Sequence, residues 1–188
     1  MVELTSWVDA SGARLAVYQE GAGPDAVVLL HGGMSQSEGF DGRLSPSVKG
    51  FKVHSYDRAG HGRSPDQTGS LHFDFQFEEV VAFLEDVIKE PAHLIGFSDG
   101  GIISLLVAIN RPDLIRTITL IGANYHYSAV QPPVKPWKPD ETERAKYAKF
   151  SPDAPETLDK KIRKMAKIWN TEPRSEEHTS ELQSHSFI

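Results

Sequence analysis

The chain has 188 residues, 39% of them hydrophobic and 24% charged, a globular composition long enough for one sizeable core. A net charge of −6 supplies no basic footprint, which argues against nucleic acid or an anionic membrane surface as partner. With no cysteine, disulfides, thiolate metal sites and a cysteine nucleophile are excluded, in keeping with a reducing compartment.

Met1 to Trp7 has neither a basic leader region nor an apolar signal core, and no apolar run approaches the roughly 18 residues needed to span a bilayer. The expectation is a soluble cytoplasmic protein. Residues 3–8 and 14–20 read as two strands of a hairpin around Asp9-Ala10-Ser11-Gly12. Residues 26–30, Ala-Val-Val-Leu-Leu, form a continuous apolar run, the mark of a strand buried on both faces of a parallel sheet. His31-Gly32-Gly33-Met34 follows at the end of that strand, the edge where open α/β sheets bind ligands. There Gly33 is the candidate oxyanion donor through its backbone N–H, with Met34 as the neighbouring possibility. His31 reads as a packed, hydrogen-bonded residue rather than a base.

Residues 51–56 predict another strand, ending in Asp57-Arg58-Ala59-Gly60-His61-Gly62-Arg63-Ser64. This stretch invites a His–Asp catalytic pair, but a rigid turn whose polar residues serve their own backbone is preferred. Phe77, Val80, Val81, Leu84, Val87 and Ile88 recur at helical spacing, predicting an amphipathic helix over 74–89 that stops before Pro91.

Ala92 to Phe97 is an apolar run into Gly96-Phe97-Ser98-Asp99-Gly100-Gly101, and an apolar helix pattern to Asn110 leads out. Strand, Gly-x-Ser-x-Gly turn and helix together make a nucleophile elbow. Ser98 is then the candidate nucleophile, at the positive N-terminus of the following helix, and the Asp99 N–H faces a developing oxyanion. The plainer reading is a βα turn with a helix-capping serine. Residues 115–123 predict a further buried strand, so strands alternate with helices as in a parallel α/β sheet.

From Tyr125 to Pro139 the chain is rich in proline and aromatics, an excursion over the top of the sheet. Two helices follow, the second with Leu158, Ile162, Met165 and Trp169 on one face. Its Lys160, Lys161, Arg163, Lys164 and Lys167 read as a solvated face. The expected division is an α/β core over 1–124, a helical cap or lid over 125–173 and a polar tail over 174–188.

His31-Gly32-Gly33, the Asp57–Ser64 loop and the elbow, in this order and separation, resemble the α/β-hydrolase fold family. The elbow with Leu120-Ile121-Gly122-Ala123-Asn124 is most similar to the branch of valacyclovir-hydrolase-like serine hydrolases. The resemblance covers residues 1 to about 173. It implies a mostly parallel sheet with N-terminal antiparallel strands and the start of a helical cap. It also implies a serine hydrolase acting on an ester or amide of a small molecule, through an acyl-enzyme on Ser98 with Gly33 and Asp99 as oxyanion donors, and without cofactor or metal.

The family order is nucleophile, acid, histidine. Some members place the acid where Asn124 stands, and after the elbow the histidines are His126, His178 and His185, none in a triad position. The chain is therefore expected to be the N-terminal two-thirds of a longer enzyme, lacking the last two strands and both partners of Ser98, and nearly inactive alone. Arg174 to Ser184 resemble the translation of a common sequencing adapter, so 174–188 are expected to be read-through, with a natural disordered terminus as the alternative. A non-catalytic hydrolase-like binding module is the alternative function. The glycine spacing does not fit a dinucleotide site.

Overall fold

Ser11 and Gly12 both adopt positive φ, 48° and 77°, which is the geometry of a two-residue hairpin turn matched to strand twist. They join β1 (Ser6–Ala10) to β2 (Ala13–Glu20), with Ala10 opposite Ala13. The turn is thus two residues long, tighter than the four expected, because Asp9 pairs with Arg14 inside the ladder. The computed structural model describes residues 3–40, 48–67, 69 and 71–174. All of the 174–188 tail except Arg174 lies outside the described residues.

β3 (Ala26–Leu30) is buried at all five positions, as its unbroken apolar run requires. With β4 (Lys52–Asp57), β5 (Ala92–Phe97) and β6 (Ile115–Ile121) it completes a six-stranded sheet in the order β1-β2-β4-β3-β5-β6. The β1–β2 and β2–β4 pairs are antiparallel; β4–β3, β3–β5 and β5–β6 are parallel. Fold class and strand direction agree with the sequence reading.

α1 (Phe73–Phe83) is shorter than the predicted helix. Its apolar pattern continues through Leu84–Ile88 as a π turn, closed where the Lys89 N–H bonds the Leu84 carbonyl at 2.8 Å with Lys89 at φ 62°. α2 (Asp99–Asn110) follows β5 directly. α3 (Glu141–Phe150) starts at a complete capping box of Asp140 and Glu143, an arrangement that stabilises a helix start by about 1 kcal/mol. α4 (Leu158–Trp169) turns Leu158, Ile162 and Met165 inward as predicted. Met165 and Ile168 belong to the same apolar cluster as Val28, Leu94, Phe83 and Ile103, so α4 packs on the core of the sheet and α1–α2 layer.

Two expectations fail. Residues 115–121 are not a buried strand: Ile115 and Ile118 pack inward, but Leu120 and Ile121 stand 41% and 37% exposed. β6 is the sheet edge, paired with β5 alone among the described residues. Lys161 is not on a solvated face. Its side chain is buried, its ammonium donates to the Gly60 carbonyl, and it lies 4.6 Å from the Tyr147 ring centroid and 3.8 Å from Asp153. Helical spacing sets its direction, but the neighbouring turn supplies the carbonyl that makes burial of the charge tolerable.

Candidate active site

Ser98 sits at φ 51°, ψ −118°, a backbone conformation that a residue with a Cβ occupies only under strain of order 1–3 kcal/mol. Its side chain makes no capping hydrogen bond to α2, which removes the reading of a simple helix cap. The turn is held by its backbone instead: the Ser98 N–H donates to the Ile121 carbonyl at 2.8 Å, and the Ser98 carbonyl accepts from Gly101 and Ile102. Glycine is required on both sides because a Cβ on Gly96 would strike the Gly100 carbonyl, and one on Gly100 would strike the Leu30 carbonyl. The hydroxyl-bearing carbon is thereby raised at the C-terminal edge of the sheet, half-buried, at the N-terminus of α2.

The His31–Met34 loop approaches from β3. A Cβ on Gly32 would lie 3.3 Å from the Ser98 Cβ, so this backbone passes close beside the candidate nucleophile. Gly33 is wedged against Asp99 and the Trp169 ring, leaving no room for a side chain. Met34 takes φ 54°, a second strained non-glycine residue in the same cluster. Asp99, the first residue of α2, has a backbone N–H with no intrahelical acceptor. Ser98, Gly33 and Asp99 are therefore brought together by the ends of β3 and β5.

The Asp99 side chain is buried, and both its oxygens accept the Trp169 indole N–H at 3.0 Å. Burial raises its proton affinity, partly offset by Arg58 and by the indole bond. Trp169 in turn stacks on Trp137, with planes 3° apart. Sequence reading put Trp169 on the apolar face of α4 and missed its polar role, because an indole at the end of an amphipathic stripe carries no signal of its partner.

His31 is buried beneath the loop, with Nδ1 2.8 Å from the Gly32 carbonyl and Nε2 accepting the Arg58 N–H at 3.1 Å. These partners assign the proton to Nδ1. Burial and Arg58 lower its pKa well below the usual imidazole value. It is structural, as expected. Asp57 accepts from the Ser37 N–H, the Arg63 N–H and the Tyr18 hydroxyl, and His61 bonds its own turn at the Ala59 carbonyl. The 57–64 loop is thus a self-bonded frame, and Asp57 and His61 do not form a pair.

Glu79, buried, accepts the Ala59 N–H at 3.0 Å and is pushed by burial up to about 7. Asn124 donates to the His126 carbonyl, and His126 accepts the Ser128 N–H to cap its own turn. Among the described residues no histidine or carboxylate hydrogen-bonds the Ser98 hydroxyl, and no group of three His, Asp or Glu has a metal-holding arrangement. No helix among them is long and apolar enough to cross a membrane.

Residues 25–166 match the family described as the alpha/beta hydrolase fold, three quarters of the chain. The chain belongs to the α/β-hydrolase fold family. It is 32% identical over 123 residues to the human serine hydrolase BPHL, covering 62% of this chain and 42% of that protein. It is 29% identical to the pimeloyl-[acyl-carrier protein] methyl ester esterase of Aeromonas hydrophila, over 58% of this chain and 42% of that one. The solved structure of DBJA superposes with a TM-score of 0.73 at 17% identity, covering 97% of this chain and 75% of that one, a likeness of fold alone. The chain spans less than half the length of these two curated relatives.

Proposed function

We propose that this α/β-hydrolase chain carries the nucleophile and oxyanion hole of a serine hydrolase acting on an ester or amide bond of a small molecule. The observation that carries the reading is the uncapped Ser98 at φ 51° on the strand-to-helix turn, with Gly33 against the following residue. Strain at a residue that makes no capping bond is retained where the surroundings over-determine it, and such sites cluster at reactive centres.

In this reading the Ser98 Oγ attacks the carbonyl carbon, and the Gly33 and Asp99 N–H groups receive the negative charge that develops on oxygen. Such donors are worth about 2.7–4 kcal/mol each. The alcohol or amine leaves, and water then releases the acyl group from Ser98, returning the hydroxyl. α3 and α4 serve as the cap that contributes substrate contacts. An oxyanion hole and binding alone leave about 10³–10⁴-fold catalysis over water in triad knockouts.

The test is labelling of the 188-residue chain, and of any longer form of the protein, by a fluorophosphonate probe. Labelling lost in Ser98→Ala is expected. Equal labelling of the variant removes the nucleophile assignment and leaves a hydrolase-like binding module.

A further inference from the structure

Arg58 is fully buried, the first residue after β4, and its side chain reaches the end of the neighbouring strand β3. Nη2 donates to the His31 carbonyl at 3.0 Å, and the Arg58 backbone N–H donates to His31 Nε2 at 3.1 Å. Nη2 also lies 3.5 Å from His31 Nδ1, but that nitrogen carries the ring proton, so two donors face each other there without a bond. Nε and Nη1 are buried with no partner among the described residues. The hydrogen bond that the described residues give this guanidinium therefore ends on His31. A buried charge with half-met donors is costly, and an apolar side chain of similar volume is often as stable or more so. Stability alone is a poor account of Arg58; the place where its bond lands is a better one.

His31 opens the loop that carries Gly33, and that loop is glycine for lack of space. A Cβ on Gly32 would meet the Phe97 ring at 3.0 Å, and one on Gly33 would strike Asp99 and Trp169. Two residues with the widest backbone freedom thus stand where a hydrogen-bond donor must be held still. Their peptide planes are fixed from outside. Arg58 Nη2 holds the His31 carbonyl, and with it the plane of the His31–Gly32 peptide. The His31 Nδ1–H at 2.8 Å and the Ser35 N–H at 3.3 Å hold the Gly32 carbonyl, and with it the Gly32–Gly33 peptide. This peptide is trans, so its N–H lies opposite its carbonyl. Holding the Gly32 carbonyl to the buried imidazole therefore turns the Gly33 N–H the other way, out of the interior.

We infer that Arg58 is a positioning residue for the oxyanion hole: its guanidinium fixes the first of the two peptide planes that aim the Gly33 N–H. Being fully buried, it acts through His31 and not on substrate. Its two grips divide the work. The backbone N–H on Nε2 keeps the ring proton on Nδ1, where the Gly32 carbonyl needs it. The guanidinium, the part that a substitution removes, holds the plane before it. The inference rests on the hydrolase reading for calling this N–H part of an oxyanion hole, although the aiming itself does not depend on turnover.

The test uses the full 188-residue chain labelled with nitrogen-15, as wild type, Arg58→Met and Arg58→Lys. The wild-type Gly33 amide is expected to have an order parameter of about 0.85, that of rigid backbone, and Arg58→Met to lower it below about 0.6. Gly12, in the β1–β2 turn, keeps its wild-type value. Arg58→Lys restores most of the order, because one ammonium N–H can take over the single bond to the His31 carbonyl. Fluorophosphonate labelling, resolved into binding and bond formation, is expected to slow about tenfold or more in the bond-forming step of Arg58→Met, with binding unchanged. A Gly33 as ordered as wild type in folded Arg58→Met overturns the inference. So does a loosening that Gly12 shares, which is a loss of the whole fold, or an Arg58→Lys as loose as Arg58→Met. Labelling that is unchanged while Gly33 loosens overturns Gly33 as the donor, and the inference with it. Two wild-type results overturn it without any variant: a Gly33 amide below about 0.6, or a His31 proton on Nε2. No labelling of the wild type removes the Ser98 reading instead, and the Gly33 measurements still decide whether Arg58 aims this N–H.

Discussion

The Trp169 indole N–H is shared between the two carboxylate oxygens of Asp99, 3.0 Å from each, and this bond fastens the end of α4 to the residue that follows Ser98. It also sets the floor on which Gly33 rests. Trp169→Phe keeps much of the ring packing and removes the only side-chain donor that the described residues give this carboxylate. A loss of about 2 kcal/mol is expected near neutral pH, in the range for a hydrogen bond to a charged group. Without the indole, the Asp99 carboxyl rises further, so its ionised form is the one that destabilises. The loss therefore shrinks as pH falls and Asp99 takes up a proton. Urea melts at about pH 7 and about pH 4.5 check this; an equal loss at both identifies packing as the whole effect.

Glu79 gives a pH dependence of readable sign. Its carboxyl is raised from 4.5 to about 7 by burial, so between those values the folded state holds a proton that the unfolded state has released. Stability contributed by this group is then fully present below about 4.5 and lost as pH rises through about 7. Glu79→Gln keeps an oxygen acceptor for the Ala59 N–H and cannot ionise. The variant is expected to match the wild type near pH 4.5 and to exceed it above pH 8 by an amount of order 3 kcal/mol. His31 and His61, both lowered by burial, work in the opposite direction, losing stability as pH falls below about 6.5. In Glu79→Gln that acid loss is opposed less than in the wild type, so its melting temperature drops more steeply between pH 7 and 5 than the wild type's.

Backbone strain at Ser98 predicts that the best residue there for stability is not serine. Ser98→Gly relieves the φ 51° conformation and is expected to stabilise the chain by about 1 kcal/mol after glycine's entropic cost. Ser98→Ala retains the Cβ and is expected to change stability little. Chemical denaturation of the two variants side by side separates strain from the hydroxyl. A glycine variant no more stable than the alanine one shows that the turn is relaxed.

The β6 edge predicts self-association. Ile115–Ile121 is a seven-residue run rich in β-branched residues with one charge, and Leu120 and Phe97 beside it are 41% and 47% exposed. Unpaired edges of this composition template pairing with other chains. Leu120→Lys is expected to lower the oligomer fraction seen by size-exclusion chromatography with light scattering. An unchanged distribution points to another surface.

The sequence by itself determined the order of strands and helices, the parallel sheet and the elbow at Ser98. These rest on local chemistry: an unbroken Ala26–Leu30 run, glycines where backbones collide, and an apolar stripe on α4. The structural service of His31 and the Asp57–Ser64 turn was legible for the same reason, since their partners lie a few residues away or at a neighbouring strand end. What only the tertiary structure decided depends on partners distant in the chain. Lys161 is buried because Gly60, a hundred and one positions earlier, presents a carbonyl to it. Trp169 acquires a polar task from Asp99, seventy positions earlier. Leu120 and Ile121 read as core from their apolarity alone, yet they are exposed because among the described residues β6 pairs on one side only. Ser98 joins the two levels. Its turn is written in the five residues around it, whereas its contacts with Gly32, Gly33 and the end of α4 exist only once β3, β5 and α4 have packed together.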